Sequence, residues 1–292
     1  MRRLAALALG LLLVSCGQGH QISASTSVPT STVPASAVPA STAPATTALA
    51  PTTTAIIGVD EPTSAVYLVM NGALHTVGRA LGATDPMALM EALLAGPAAV
   101  EVGAGITSAL PAGATVLGVT LDGPTARVNL SSNVAEGSPS ELALRAAQVM
   151  YTLTALPGIT SVEFAFDGVV NYGFGRPELN VHPLGRAQFT DGVLPPILLE
   201  SPLPYARVSG GPLVLAGVAS TFEATVNYKV LDPQGVLLAK GVTMATCGSG
   251  CWGTFRQTVE LPAGAVGPFT VQVFDYSEKD GSMVDLQQIV VT

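Results

Sequence analysis

Two cysteines near the C-terminus are the side chains whose spacing most clearly suggests chemistry. Cys247 and Cys251 are separated by Gly-Ser-Gly, so a bond between their sulfurs would close a small, flexible loop. In a chain exported to an oxidising compartment, a disulfide is the expected state of such a pair. Redox catalysis is the alternative, although it usually uses two cysteines separated by two residues. A zinc site needs four ligands and no histidine is nearby, so we predict a structural disulfide and no metal.

Candidate acid–base residues are few. Glu101 and Asp167 could form a pair of carboxylates, but they are equally well explained as a loop residue and a turn-former. His75 lies near a predicted hairpin and His182 in a predicted connection. No Gly-x-Ser-x-Gly motif marks a hydrolase nucleophile. We therefore predict a protein that is not an enzyme and that uses no cofactor.

Trp252 directly follows the second cysteine and is the only tryptophan of the chain. Tryptophan combines a large apolar surface with one N–H donor, which suits it to contact surfaces. It is therefore a candidate contact residue for a partner. The alternative, a rim residue that packs on its own domain, explains its position equally well.

The N-terminal segment has the features of a lipoprotein signal peptide. Arg2 and Arg3 precede an apolar run from Leu4 to Val14, which is too short to span a bilayer. The residues Leu13-Val14-Ser15-Cys16 resemble a lipobox, the cleavage motif of bacterial lipoproteins. That resemblance implies cleavage after residue 15, acylation of Cys16, and a lipid anchor at the extracytoplasmic face of the cell membrane. An ordinary secretory signal with a coincidental cysteine is the alternative.

Composition divides the rest of the chain into a linker and two domains. Residues 16–62 read as the lipidated cysteine followed by a disordered linker, since Ser, Thr, Pro and Ala dominate and no aromatic residue is present. The remaining chain is long enough for two domains, which we place at 63–192 and 193–292. The formal net charge is −8. Binding of nucleic acid is therefore not expected, because phosphate contacts need clustered Lys and Arg.

The pattern over residues 63–192 predicts a mixed α/β domain with the order β-β-α-β-β-α-β. Asn71-Gly72 is a strong tight-turn signal between the first two strands. Asp85-Pro86 is typical of a helix start. Ser138 to Glu141 form a capping box at the start of the second helix. In a final strand, Val162, Phe164 and Phe166 alternate with Glu163, Ala165 and Asp167.

This first half resembles the GerMN domain, over about Ala65 to Asp191. The resemblance implies an envelope protein, because the family was named from spore-germination and sporulation lipoproteins and is similar in fold to ring-building modules of envelope assemblies. The family has no established catalytic residues to transfer. The residues that carry the resemblance are Leu94-Ala95-Gly96-Pro97, Glu101, Gly105 to Pro111, Gly113, Gln148 to Thr154 and Pro157-Gly158-Ile159.

Residues 193–292 show short strands only, separated by turns such as Asp232-Pro233-Gln234-Gly235. Seven short strands in under a hundred residues predict an immunoglobulin-like β-sandwich. The half resembles the immunoglobulin-like domain that often follows GerMN in bacterial lipoproteins, through Ser201-Pro202, Leu215 to Gly217, Phe222 to Ala224, Gly253 to Phe255 and Val273 to Asp275. The chain as a whole is therefore predicted to be α+β.

Two classes of function remain open at this point. The first is an assembly or adaptor module, of spore-germination or sporulation type by resemblance, that contacts other envelope proteins. The second is a module that binds cell-wall glycan or a small ligand. The family resemblance favours the first class, and this is an argument from fold-level analogy.

Overall fold

A computed structural model describes residues 64–81, 85–176, 178, 182–208 and 211–292. These residues all belong to one compact unit. The predicted signal peptide, the lipidated Cys16 and the linker lie outside the described residues. Within the described ranges, no helix is both long enough and apolar enough to cross a membrane.

The first half of the described chain combines strands and helices. Its elements are, in chain order, β1 (Ser64–Met70), β2 (Ala73–Arg79), α1 (Pro86–Leu94), α2 (Ala99–Gly103), β3 (Val116–Asp122), β4 (Thr125–Leu130), α3 (Pro139–Leu153), β5 (Ser161–Phe166) and β6 (Val169–Asn171). Short 3-10 turns occupy Ser132–Ala135 and Arg186–Gln188. The predicted starts of both long helices are present. The Asp85 side chain accepts a hydrogen bond from the Met87 N–H, and Ser138 and Glu141 form the capping box.

These elements form three layers. A four-stranded sheet has the order β3-β4-β5-β6, in which β4 and β5 run parallel. The helices α1 and α3 pack together beside this sheet, and α3 also packs against the separate hairpin of β1 and β2. Because α3 lies between two layers, its residues from Ala146 to Leu153 are all buried.

Two polar residues on this buried helix form hydrogen bonds with the edge of β1 that does not pair with β2. The Gln148 Nε2 donates to the carbonyl oxygen of Tyr67 at 3.0 Å, and the Tyr67 N–H donates to Thr152 Oγ1 at 3.1 Å. Buried backbone groups must find partners, and here the helix supplies them in place of a neighbouring strand. The two side chains therefore fix the hairpin on the helix.

The second half is a sandwich of two antiparallel sheets. Its strands are β7 (Ile197–Ser201), β8 (Leu213–Ala219), β9 (Thr225–Leu231), β10 (Leu237–Met244), β11 (Gly253–Val259), β12 (Phe269–Tyr276) and β13 (Met283–Val291). One sheet has the order β11-β8-β7 and the other β10-β9-β12-β13. A core of alternating inward side chains, such as Val226 and Val230 of β9, fills the space between the sheets. The predicted α+β class, with a mixed first domain and an all-β second domain, is confirmed.

Three details differ from the sequence prediction. The short elements α2 and β6 were not predicted, because five and three residues are too few to show a period. The sequence pattern predicts a strand from Val236 to Ala239, whereas β10 runs from Leu237 to Met244 and includes Gly241. Glycine normally weakens a strand, but the ring of Tyr228 on β9 occupies the space that a Cβ of Gly241 would need. The first hairpin forms a sheet of its own and does not extend the four-stranded sheet.

Candidate functional site

Strand β7 joins the two halves of the chain, because its two faces belong to different cores. Ile197 and Leu199 point into the sandwich core. Leu198 points the other way and is buried in the core of the first half, with Val218 of β8 packed beside it. The two halves therefore share one strand, and neither core is complete without it.

A β-bulge in the same strand directs a charged side chain to the junction. The pairing of β7 with β8 shifts between Leu199 and Ser201, so Glu200 is the extra residue. Bulges commonly change the direction of one side chain. A Cβ at Gly217, opposite the bulge, would collide with the carbonyl oxygen of Leu198, so the close approach of the two strands requires glycine.

Glu200 binds two groups of the first half. Its Oε1 accepts a hydrogen bond from Arg186 Nη1 at 2.7 Å and another from the Tyr67 hydroxyl. Burial raises the pKa of the Tyr67 hydroxyl far above its ordinary value, so this group stays protonated and acts as the donor. The Glu200 and Arg186 side chains are 22% and 29% exposed, so the pair is largely but not completely buried.

Arg186 is held in place by further contacts. Its Nε donates to Thr154 Oγ1 at 2.6 Å and its Nη2 donates to the carbonyl oxygen of Tyr151 at 3.1 Å. The guanidinium also lies over the Tyr151 ring, 4.5 Å from its centroid, and 5.5 Å from that of Tyr67. These contacts use the forked N–H donors and the planar face of the guanidinium, which lysine lacks.

A small cavity of about 140 Å³ lies elsewhere along the junction, between β2 and α2 of the first half and β13 of the second. Two of the residues proposed from the sequence, His75 and Glu101, line this cavity, and each is only 7% exposed. The described chain also has a larger cavity, of about 650 Å³, at an end of the sandwich. Its lining is mostly aliphatic residues and glycine, and Thr292 is its one polar side chain.

The carboxylate of Glu101 is fully engaged by its neighbours. Arg79 binds it with two hydrogen bonds, Nη1 to Oε1 at 2.7 Å and Nη2 to Oε2 at 2.8 Å. The Ala98 N–H also donates to Oε2 at 2.7 Å. Burial by itself would raise the pKa of Glu101, but these hydrogen bonds outweigh burial and hold the pKa below its ordinary value. Glu101 is therefore a stable anion at neutral pH.

His75 connects the two halves across the cavity wall. Its side chain faces that of Gln287 of β13, which favours the protonated imidazole. Burial lowers the pKa of His75, and Gln287 and the charge of Glu101 only partly offset this effect. The imidazole is therefore neutral at neutral pH.

The other residues proposed from the sequence lie apart from this cavity. Asp167 is in the turn between β5 and β6, and no hydrogen bond joins it to Glu101. The His182 ring lies 3.8 Å from the Tyr172 ring, centroid to centroid. Trp252 is at the junction, where its Nε1 donates to Asp191 Oδ1 of the first half at 2.9 Å.

The cysteine pair lies next to Trp252. A disulfide joins Cys247 and Cys251, whose Cα atoms are 5.7 Å apart. Their oxidation in the cell stays a prediction. Among residues 64–81, 85–176, 178, 182–208 and 211–292, no group of three His, Cys, Asp or Glu side chains is arranged to hold a metal ion.

Sequence reasoning missed the residues that hold the junction. Arg186, Glu200 and Tyr67 were not proposed, because they lie far apart in the chain and only the tertiary structure unites them. One local signal was available: Glu200 follows three apolar residues in a short strand, where a charged side chain needs a partner.

Comparison with known proteins gives matches for both halves. Residues 65–171 match the family model for sporulation and spore germination, and residues 196–282 match the model for the immunoglobulin-like domain of bacterial spore germination. No curated protein matches the chain at a significant level.

Two solved structures are similar in part. The first GerMN domain of the sporulation protein GerM from Bacillus subtilis is 23% identical, with a TM-score of 0.37, and the match covers 43% of this chain and 98% of that one. The tandem GerMN domains of the same protein are 17% identical, with a TM-score of 0.38, over 68% of this chain and 61% of that one. Both TM-scores are low, so the assignment depends on the family models. The first domain therefore matches the sporulation and spore germination family, and the second matches the immunoglobulin-like domain of bacterial spore germination.

Proposed function

We propose that this protein is a non-enzymatic contact module of the bacterial cell envelope, of the sporulation and germination type. It is anchored to the extracytoplasmic face of the membrane by lipid on Cys16, and it acts by binding other envelope proteins. The two family matches support the biological setting. The lipobox-like residues before Cys16 support the anchor.

The construction of the domain junction is the observation that carries the proposal. Two domains that share strand β7, and that are pinned by the pair of Glu200 and Arg186, present their surfaces in a fixed relation. A fixed relation suits a protein that must hold partners at defined positions. Glu200 and Arg186 hold the junction, and Glu101 is bound to Arg79 within the first domain, which supports a structural use of these charges.

The test is complementation in cells that lack the protein, with recovery of partners by affinity purification. Asp167→Asn and His182→Ala change exposed candidate residues and should leave both function and partner recovery intact. Deletion of either domain should abolish both, because interfaces are spread over many residues. The abundance of each variant is measured first. If Asp167→Asn or His182→Ala, at normal abundance, loses function while its partners are still recovered, a reactive side chain is involved and the proposal fails.

A further inference from the structure

The cavity at the domain junction is built from both domains. The first domain contributes aliphatic and thioether side chains, and the second contributes the end of β13 and the segment before β8. The apolar residues of the lining that matter here are Met70, Val77, Ile106, Ile289 and Val290. Binding pockets occur preferentially at such domain interfaces and are mostly apolar.

Glu101 is the one charged group of the lining, and it is already paired within the protein. Glu101 is neutralised by Arg79 and by the Ala98 N–H. The neutral imidazole of His75 faces Gln287, and the side-chain oxygen of Gln288 accepts a hydrogen bond from Gln272 Nε2 at 2.8 Å. A charged guest would therefore lose its hydration without gaining a counter-charge, whereas an apolar guest would lose nothing.

Tyr205 marks the open side of the cavity. It lines the cavity, yet 57% of its surface is exposed. Its backbone has φ of +63°, a left-handed conformation that is rare for a bulky residue. The Tyr205 N–H donates to the carbonyl oxygen of Val290 at 2.6 Å, which fixes this conformation. Strained residues of this kind concentrate where a ligand or a partner is held.

We propose that this cavity receives an apolar side chain of a partner protein, and that Tyr205 packs beside the inserted group. The proposal rests on the contact function argued above. The size agrees, since an aliphatic cavity of about 150 Å³ accommodates a benzene ring. Because both domains line the cavity, the partner binds only the correctly docked pair of domains. A buried anchor of this type commonly carries much of the affinity of an interface.

Benzene serves as the probe, because it mimics a phenylalanine side chain. The full chain is labelled at the methionine methyl groups and titrated with benzene while NMR spectra are recorded. The Met70 signal should shift in a saturable manner, with half-saturation at about 1–10 mM for a guest of this size. Met244, which is exposed on β10, provides an internal reference that should not shift. Propionate, a charged guest of similar length, should leave Met70 unchanged.

Two single variants test whether the guest binds in the cavity itself. One is at the C-terminal end of α2 and the other is near its start. Ala104 is exposed and lines the cavity, so Ala104→Leu places a larger side chain in its opening. Ala99 is exposed near the start of the same helix and does not line the cavity, so Ala99→Leu is the matched control. Ala104→Leu should abolish the benzene shift at Met70 and reduce partner recovery at least tenfold. Ala99→Leu should do neither.

Each outcome decides the proposal. If benzene moves Met70 no more than Met244, the cavity binds no apolar guest and the proposal is wrong. If propionate binds as well as benzene, the proposed preference for an apolar guest is wrong. If Ala104→Leu blocks benzene but recovers partners normally, no partner uses the cavity. In all three cases the contact function itself survives, because that function is tested by deletion of whole domains.

Discussion

Replacing Glu200 with glutamine should loosen the docking of the two domains. The substitution keeps the size of the side chain and an oxygen that can accept from the Tyr67 hydroxyl, but it removes the charge that Arg186 faces. Arg186 would keep its bonds to Thr154 and Tyr151 and would remain largely shielded without a counter-ion. The unfavourable free energy therefore arises mainly from the arginine that is left behind.

The exposure of the two side chains sets the expected magnitude. Removing one partner of a fully buried pair costs about 3–5 kcal/mol, and an exposed pair contributes about 1 kcal/mol or less. Glu200 and Arg186 are 22% and 29% exposed, which is between these limits. We expect a loss of about 2 kcal/mol. With a urea m-value of about 2 kcal/mol/M, this lowers the unfolding midpoint by about 1 M.

Trp252 makes the measurement direct. It is the only tryptophan of the chain, and it spans the junction through its bond to Asp191. Its fluorescence in a urea titration therefore reports separation of the two domains. Glu163→Gln is the matched control, because Glu163 pairs with Arg127 at 2.8 Å where the arginine is 51% exposed. This control should lose less than about 1 kcal/mol. Equal midpoint shifts in the two variants would refute the role assigned to Glu200.

Three further predictions concern His75, the disulfide and Cys16. Burial lowers the pKa of His75, so its contribution to stability is complete above its unfolded pKa of about 6.5 and is lost as the pH falls below that value. His75→Gln should therefore show a smaller loss of urea midpoint between pH 7.5 and pH 5.5 than the wild type. The double variant Cys247→Ser with Cys251→Ser should lower the free energy of unfolding by about 2 kcal/mol, the loop-closure value for so short a loop. Alkylation without reductant should leave both wild-type thiols unlabelled, and labelling of both would contradict the disulfide in the cell. Cys16→Ala should yield a chain without lipid. In the wild-type protein, a mature N-terminus at any residue other than Cys16, found by mass spectrometry, would disprove the anchor.

The elements that could be predicted from the sequence are those whose signals are local. The capping box of Ser138 and Glu141 gave the start of α3, and Asn71-Gly72 gave the turn between β1 and β2. Such signals depend on hydrogen bonds within a few residues, so the rest of the fold does not alter them. The sequence pattern predicts too short a β10, because glycine normally weakens a strand. The reason for Gly241 in this strand is the ring of Tyr228, which lies on the neighbouring strand and fills the space of a Cβ.

The candidate site was predictable only in part. Glu101 and His75 were identified as candidates by residue type, but the sequence did not bring them together. Arg79 binds Glu101 and Gln287 faces His75, and these two residues are separated from each other by most of the folded chain. Trp252 was proposed as a contact residue for a partner protein, which stays a prediction, and its bond to Asp191 could not be known before the two domains were docked.

The bulge at Glu200 also limits how the chain can misfold. A slip of one residue in the pairing of β7 would exchange the two faces of the strand. Glu200 would then point into the apolar sandwich, where its carboxylate would have no partner and the misregistered strand would be disfavoured. In the correct register it meets Arg186 and Tyr67, which the first domain provides. The first domain thus acts as an intramolecular template that selects the register of β7.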